Sequence, residues 1–200
     1  MNERRLAWVH LEGEKVLLRP ATSQDAGPAF DALHGRDAIL RWLLWDGPRD
    51  VAELERYYAD WVHALERGAD YQLAIVERES AELAGMIGLS FAGHPEIGDL
   101  GYWVAERHWG RGLASEAIAL SAHLAFGHLS AESLCAWVFV GNEPSRRALE
   151  RNGFTRAYTR PRAARKGGKE IDEWYYVLLR EEWRGRGEPR PLRREEVHFV

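Results

Sequence analysis

The 200-residue chain contains a single cysteine, Cys135, and no apolar run close to the roughly 18 residues that span a membrane. One cysteine excludes an internal disulfide and fits a reducing compartment. The N-terminus carries charges but no apolar core of the length found in signal peptides. From these absences we expect a cytoplasmic protein with no membrane partner.

Neither sign of charge dominates the chain. Lys and Arg number 27 and Asp and Glu number 31, which gives a net charge of −4. The chain as a whole is therefore not an electrostatic nucleic-acid binder, and a nucleic-acid partner is not expected. The eight histidines show no metal-ligand spacing and none stands beside other candidate ligands, so no metal is expected either.

The composition that is present indicates a globular protein. Hydrophobic residues make up 46% and charged residues 29% of the chain, and nine tryptophans are available for a core or a cleft. Two hundred residues bury a core without disulfides. We predict a single domain over residues 1–183. Residues 184–200, rich in Arg, Pro and Gly, are predicted to form a poorly ordered tail.

Hydrophobic periodicity predicts strands and helices in the order β-α-α-β-β-β-α-β-α-β-β. Strands are predicted at 15–20, 71–77, 83–91, 98–104, 133–139, 154–158 and 174–179. The clearest helix spans 51–66, with Asp50 and Glu53 in capping-box spacing. This order is that of a mixed α/β (α+β) domain, in which a meander leads into a β-α-β crossover.

A glycine turn between a strand and a helix is the centre of the prediction. Arg107, Gly110 and Gly112 mark this turn, and the helix begins at Leu113. The first amides of a helix have no partner within it, and the helix dipole adds positive potential there. Glycines let the backbone approach a phosphate, and Arg107 and Arg111 add cations. We predict that a pyrophosphate binds here; the alternative is an ordinary tight turn.

Two segments carry a family resemblance. The sequences LGYWVAERHWGRGLASEA and NEPSRRALERNGF resemble the GNAT superfamily of acetyl-coenzyme A-dependent N-acetyltransferases. The chain is most similar to the RimJ/RimL-type branch, which acetylates N-terminal amines of ribosomal proteins, and the resemblance covers about 14–183. It implies a GNAT fold, with a central mixed, mostly antiparallel sheet of about seven strands flanked by helices.

The resemblance also implies acetyl-CoA as co-substrate, without a metal, and a primary amine as acceptor. We expect direct attack by a protein N-terminal α-amine in a ternary complex, with a ribosomal protein as a possible partner and a monomer or homodimer as the assembly. Two alternatives stay open: a small-molecule amine (amino acid, polyamine or antibiotic) acetyltransferase, and a non-catalytic acetyl-CoA-binding module. A third is an RNA- or ribosome-docking protein that uses its basic hairpin and tail.

The cofactor site implied by the resemblance lies in the gap between two splayed strands. Backbone groups of 103–105 would pair with the pantetheine arm, and the region of Val104 would polarise the thioester carbonyl. Asn142 would contact the arm, although a plain helix cap is an equal alternative. The full set comprises Trp103, Val104, Ala105, Arg107, Trp109, Gly110, Arg111, Gly112, Leu113, Ala114, Asn142 and Ser145.

The catalytic residues are predicted by the same resemblance. Many GNAT enzymes place a tyrosine acid seven residues after the asparagine, where this chain has Leu149. Ser145 is the substitute acid; otherwise it is an ordinary serine at a helix start. Asp99 is the candidate base, against the alternative of a solvated or salt-bridged strand acid. Weaker candidates for the base are Glu170, Asp172 and Glu173.

Acceptor contacts are harder to predict from the sequence. Trp42 and Trp45 are core residues or one wall of the acceptor cleft. Cys135 lies among apolar neighbours with no adjacent histidine and is not expected to be a nucleophile. The basic hairpin tip is a solvated surface, or it meets the ribosome, an acidic peptide or the 3′-phosphate of coenzyme A. Its residues are Arg160, Arg162, Arg165, Lys166 and Lys169.

Overall fold

The computed structural model describes residues 6–67, 70–185 and 192–199, with side chains at all of these except 62–67 and 185. Within them, nine strands form one sheet in the order β7-β8-β6-β5-β4-β3-β2-β1-β9. Strands β5 and β6 are parallel, and the other pairs are antiparallel. The strands are β1 (Leu6–Glu12), β2 (Val16–Pro20), β3 (Asp70–Glu77), β4 (Leu83–Ser90), β5 (Ile97–Val104), β6 (Ser133–Phe139), β7 (Thr155–Lys166), β8 (Lys169–Leu179) and β9 (Arg194–Phe199).

Helices cover both faces of this sheet. They are α1 (Ala26–Leu33), α2 (Asp37–Leu40), α3 (Val51–Arg67), α4 (Leu113–His123), α5 (Glu143–Arg151) and α6 (Arg180–Gly185). Short 3-10 turns span Ser23–Asp25 and Glu106–His108, and a π-helical turn, Leu124–His128, continues α4. The predicted mixed α/β architecture, with a mostly antiparallel sheet flanked by helices, is confirmed. None of the helices described has the length and apolar character needed to cross a bilayer.

Strand alternation divides the core between the two faces. Leu73 and Ile75 of β3 pack with α4 and α5, and the intervening Ala74 packs on the other face with α1 and α3. The larger cluster lies under α4, where Ala117 and Ile118 are fully buried. The face covered by α4 and α5 is called the donor face below, and the face covered by α1 and α3 the acceptor face.

The sheet has nine strands rather than the seven predicted. The two additional strands, β1 and β9, pair antiparallel from Leu6–Phe199 to Glu12–Arg194. The prediction of a poorly ordered tail is therefore wrong for 194–199, because β9 pairs with β1 and Val197 and Phe199 pack against the core. Residues 186–191 and 200 of that tail lie outside the described residues.

The start of α4 is fixed to the start of β2. The Glu116 carboxylate is 9% exposed, and its Oε1 accepts hydrogen bonds from the amides of Lys15 at 2.7 Å and Val16 at 3.1 Å. A Cβ atom at Gly13 would lie 2.1 Å from the same oxygen, so this approach requires glycine. One buried carboxylate thus holds the first turn of α4 against a strand about a hundred residues earlier.

Candidate active site

The two parallel strands separate after a short paired stretch. Strands β5 and β6 pair at three positions that end at Asp99–Cys135. Beyond this point they diverge, and a cleft of about 770 Å³ opens between them. Its lining includes Tyr102, Val104, Trp137 and Ser145, together with the glycine turn before α4. The parallel pair therefore forms the V-shaped gap between splayed strands that the family resemblance implies.

The glycine turn closes one end of the cleft with backbone in the left-handed region. Gly110 and Gly112 have φ values of +75° and +82°, which non-glycine residues rarely adopt. Gly112 precedes α4, so the amides of Leu113 and Ala114 begin the helix with no partner one turn earlier. Free amides and the positive end of the helix dipole meet at this point, which is the chemistry of an anion site.

Only one of the three predicted backbone contacts on β5 faces the cleft. The Ala105 amide donates to the Ala84 carbonyl at 2.8 Å, and its own carbonyl accepts from the His108 amide at 2.9 Å. Backbone groups of successive strand residues point to opposite edges, so those of Trp103 also face β4 and those of Val104 face the gap. The predicted backbone role is therefore wrong for Trp103 and Ala105.

The Val104 carbonyl already has a partner. The Trp109 indole Nε1 donates to it at 2.7 Å, and this hydrogen bond fixes the position of the aromatic ring beside the glycine turn. Trp109 is 45% exposed and lines the cleft. The Val104 amide remains the backbone donor of the predicted trio that is directed at the gap.

The two arginines of the turn point away from the cleft. Arg111 donates to Glu77 at 2.7 and 3.0 Å and also pairs with Glu79. Arg107 pairs with Glu82 at 3.5 Å and donates to the Leu83 carbonyl at 3.3 Å. Both cations are paired with groups from the end of β3 and the turn that leads into β4, so the prediction that their charges face the pyrophosphate is wrong. Their backbone amides remain part of the turn.

Other cations line the cleft instead. Arg147 and Arg151 lie one turn apart on α5 and both are exposed at its lining. Neither forms an ion pair with any residue that the structure describes. Lys15 reaches the turn from the other side, where its Nζ donates to the Arg111 carbonyl at 3.0 Å. Sequence reasoning missed all three residues, since nothing local to the glycine turn marks them.

A hydroxyl pair lies beside the cleft on the donor face. The Tyr102 hydroxyl and Ser145 Oγ are 2.9 Å apart, which joins β5 to the first turn of α5. Burial raises the pKa of the Tyr102 hydroxyl to about 12, so it is protonated at neutral pH. Asn142 Oδ1 accepts from the Ser145 amide at 3.3 Å, which confirms its role as a helix cap, and Asn142 also lines the cleft. Leu149, at the usual tyrosine position, is fully buried in the core.

The candidate base lies at the point where the strands part. Asp99 is exposed on the acceptor face, and its Oδ1 accepts from the Cys135 thiol at 2.9 Å. Burial, followed by the hydrogen bond to Asp99, raises the pKa of Cys135 to about 12. A thiol that stays protonated at neutral pH is a poor nucleophile, which agrees with the prediction for Cys135. Asp99 lies at the apex of the V, just outside the cleft lining.

The weaker candidates for the base hold the last hairpin together. Glu173 is 3% exposed and bonds Arg160 at 2.8 Å, and Asp172 accepts from the Arg162 amide at 2.8 Å. Lys166 of the same hairpin donates to the Trp45 carbonyl at 2.7 Å. These side chains are occupied within the fold, and the predicted basic tip is in part a set of internal contacts.

The two tryptophans of the predicted acceptor wall have separate surroundings. Trp42 lines the cleft, and its ring lies 3.8 Å from where a Cβ of Gly141 would be. Trp45 packs edge-on against Tyr57, outside the cleft lining. A stack of Trp137, Tyr158 and Tyr175 extends the acceptor face, with ring centroids 4.3–6.1 Å apart.

This geometry agrees with comparisons against known proteins. The family model for the acetyltransferase (GNAT) domain matches residues 15–155, more than half of the chain. The chain belongs to the GNAT acetyltransferase family. It is therefore an N-acetyltransferase, an enzyme that moves an acetyl group from acetyl-CoA to an amine.

Relatives of this GNAT enzyme include proteins with different acceptors. A putative ribosomal N-acetyltransferase of Bacillus subtilis, YdaF, is 30% identical, covering 86% of this chain and 95% of its own. RimJ of Mycobacterium smegmatis, solved with CoA-disulfide, has a TM-score of 0.75 at 20% identity, over 92% and 94% of the two chains. Spermidine N-acetyltransferase of Vibrio cholerae, solved with CoA and spermine, has a TM-score of 0.74 at 18% identity, over 84% and 97%. The two solved structures support the fold.

Proposed function

We propose that this GNAT enzyme acetylates a protein N-terminal α-amine, by direct attack on acetyl-CoA in a ternary complex. The observation that carries the proposal is the charge of the cleft. Its lining includes three arginines, Arg41, Arg147 and Arg151, one buried histidine, His108, and one carboxylate, that of Glu173, which is bonded to Arg160. The cleft lining therefore offers no unpaired carboxylate to a polycation, whereas a single amine on an otherwise neutral or acidic chain needs none.

The donor side of the proposal rests on the glycine turn and β5. The pyrophosphate binds the amides from Gly110 to Ala114, at the start of α4. The pantetheine arm lies between β5 and β6, where the Val104 amide faces the gap and donates to the thioester carbonyl. Arg147 and Arg151 supply the cations for the 3′-phosphate, in place of the paired Arg107 and Arg111.

Ser145 and Tyr102 act at the departing sulfur. An alkyl thiol has a pKa of about 8.5, so proton transfer from a tyrosine hydroxyl near pKa 12 is uphill by about 5 kcal/mol. A hydroxyl of this kind stabilises a thiolate by donating a hydrogen bond, and the proton then comes from solvent. We assign Ser145 to that hydrogen bond and Tyr102 to holding the Ser145 hydroxyl in place.

Asp99 accepts the proton from the amine on the opposite face. Side chains alternate along β5, so Asp99 faces away from Tyr102 and Ser145. Asp99 and Tyr102 are three residue steps apart on the strand, about 10 Å, so we place a water between the carboxylate and the amine. The amine loses its proton toward Asp99, its nitrogen bonds to the acetyl carbon, and the C–S bond breaks toward Ser145.

The α-amine also fits the modest base. An α-amine has a pKa near 8 and a lysine side chain near 10.4, so lysine costs about 3 kcal/mol more to deprotonate at neutral pH. An exposed aspartate that works through water is suited to the easier deprotonation. A ribosomal protein is one substrate of this class, in line with the name of the relative YdaF, a putative ribosomal N-acetyltransferase.

The test is an acceptor panel with acetyl-CoA, read as thiol release and as the site of acetylation by mass spectrometry. The panel contains one peptide with a free N-terminus and no lysine, the same peptide blocked at the N-terminus and carrying a lysine, spermidine, and free amino acids. We expect the first peptide to be acetylated on its α-amine with the highest kcat/KM. A preference for spermidine or a free amino acid would replace the proposal with a small-molecule acetyltransferase.

A further inference from the structure

Three potential metal ligands meet far from the cleft, where β9 passes the end of α4. His123 is the last residue of α4, His128 is the last residue of the π-helical turn, and Glu195 lies on β9. One ligand atom from each lies within 4.8 Å of the other two. His123 Nε2 is 3.2 Å from Glu195 Oε2, and His128 Nε2 contacts Glu195 Oε1.

The π-helical turn is what brings the two histidines together. In an α-helix, residues five apart point about 140° away from each other. Here the Leu129 amide donates to the Leu124 carbonyl at 3.1 Å, which closes the wider i→i+5 turn. His123 and His128 therefore lie on one side, with ring centroids 5.5 Å apart. Such π-turns are rare and occur often at functional sites.

Glu195 is placed to complete this set. It lies opposite the fully buried Leu11 in the β1–β9 pair, and its side chain is 27% exposed. Within the part of the chain that the structure describes, the Glu195 carboxylate contacts the imidazoles of His123 and His128. A carboxylate drawn inward at a sheet edge needs a positive partner, and a divalent cation held between it and the two imidazoles would supply one. His123 Nδ1 is also buried without a hydrogen-bond partner among the described residues.

We propose that His123, His128 and Glu195 bind a divalent transition metal, with Zn²⁺ as the best match. Two imidazole nitrogens and one carboxylate are a set that Zn²⁺ accepts, with water in the fourth position. Ligands of one tetrahedral Zn²⁺ lie about 3.3 Å apart, close to the 3.2 Å between His123 and Glu195. The spacing H-x4-H is also within the range of zinc sites. This proposal departs from the prediction of no metal, which the titration described below tests.

The site would join the end of α4, in the middle of the chain, to the C-terminal strand β9. His123 and His128 belong to the helix that begins at the glycine turn, and β9 is the outermost strand of the sheet. A bound ion fixes β9 to this helix and stabilises the β1–β9 edge, because the metal binds the folded arrangement and not the unfolded chain. The inference is independent of the acceptor and of the catalytic residues.

The first experiment uses tag-free full-length protein, stripped with a chelator and then titrated with Zn²⁺ and with Co²⁺ as a spectroscopic probe. We expect one ion per chain, a tetrahedral or five-coordinate Co²⁺ spectrum, and a melting temperature about 5–10 °C higher at 100-fold excess over Kd. No stoichiometric ion and no shift would overturn the proposal and leave a histidine–glutamate ion pair.

The second experiment removes ligands one at a time. His128→Gln and Glu195→Gln should weaken Co²⁺ binding more than about tenfold and abolish the thermal shift. The matched control is His198→Gln, an exposed histidine on the same strand, which should bind as the unaltered chain does. Equal binding by all three variants would place the metal elsewhere. The wild-type Co²⁺ spectrum decides the matter even if a variant does not fold.

Discussion

The two sides of the glycine turn have opposite electrostatic character. On one side, Arg107 and Arg111 are paired with Glu82, Glu77 and Glu79, and Arg111 meets a carboxylate that is 3% exposed. On the other side, the amides of the turn face a cleft whose arginines have no ion-pair partner among the described residues. Both sides are rich in arginine, yet one set fastens the turn and the other is free to bind an anion.

Proximity in sequence to a phosphate-binding turn therefore does not make an arginine a ligand of the phosphate. The partners of Arg111 come from β3 and the turn that follows it, more than thirty residues earlier in the chain. Substitutions of side chains on the cleft side should change affinity or turnover more than stability. Substitutions on the paired side should do the reverse.

The largest effect is expected from Gly110→Asp, which alters the turn itself. At φ +75° any side chain strains the backbone, and a carboxylate would repel a pyrophosphate. Calorimetry should find CoA binding weakened by about 100-fold or more, comparable with losing one or two hydrogen bonds to a charged group. Gly93→Asp, at an open position without positive φ, is the control. Retained affinity would move the pyrophosphate away from this turn.

Ser145→Ala tests the hydroxyl pair on the cleft side. Loss of one hydrogen bond to a developing charge should lower kcat by about tenfold or more, with little change in CoA affinity. Tyr102→Phe should act in the same direction through Ser145. Ser23→Ala, an exposed serine in the first 3-10 turn, serves as the control. An unchanged kcat in both variants would remove the pair from the reaction.

Charge reversal on α5 tests the free arginines. The double change Arg147→Glu and Arg151→Glu should weaken CoA about tenfold, since exposed ion pairs contribute up to about 1 kcal/mol each. Affinity for 3′-dephospho-CoA should change little. The matched control is Arg165→Glu with Lys169→Glu at the exposed hairpin tip. If the control weakens CoA instead, the hairpin holds the 3′-phosphate.

Arg111→Gln tests the paired side. Glu77 would keep its burial and lose its strongest partner, which should cost about 1–3 kcal/mol of unfolding free energy. For a chain of this size, each kcal/mol lowers the melting temperature by about 2–4 °C. CoA affinity should stay within about twofold. Arg36→Gln, at an exposed position, is the comparison variant. A loss of affinity without a loss of stability would contradict the assignment.

The smallest effect is a pH dependence from His108. Burial lowers the pKa of His108 below its ordinary value of about 6.5. The unfolded chain therefore takes up a proton first as pH falls below about 6.5, and stability declines from there down to the folded pKa. His108→Gln should flatten this part of the stability curve relative to wild type, measured by denaturant midpoint between about pH 7.5 and 5. If the stability of the variant and of the wild type falls in parallel with pH, groups other than His108 cause the pH dependence.

Sequence pattern predicts the centre of the fold best. Strand β6 has the predicted bounds 133–139, and α3 ends one residue beyond its predicted end. Both have strong periodicity set by burial. The missed strand β9 reads REEVHF, a polar edge strand that pairs with a segment almost 190 residues away. Strand β7 is also longer than predicted, because most of its side chains are exposed and give no alternation.

The candidate site also has parts that the sequence predicts and parts that it does not. The glycine turn could be predicted because φ and helix polarity are local properties. The direction of Arg107 and Arg111 could not, since it depends on carboxylates from distant strands. The resemblance does not predict a role for Tyr102, because the tyrosine acid of many GNAT enzymes corresponds to a position on α5, although the Gly101–Tyr102 pair is a usable signal. The spacing of His123 and His128 is informative only once the π-turn is known.

The carboxylate of Glu116 has a kinetic consequence for the donor site. By holding the first turn of α4 to β2, it orders the amides of that turn during folding, before any cofactor arrives. The entropy of ordering them is then absent from the binding step. Association with CoA should accordingly proceed in a single exponential phase, with a rate that rises linearly with ligand concentration and shows no isomerisation plateau.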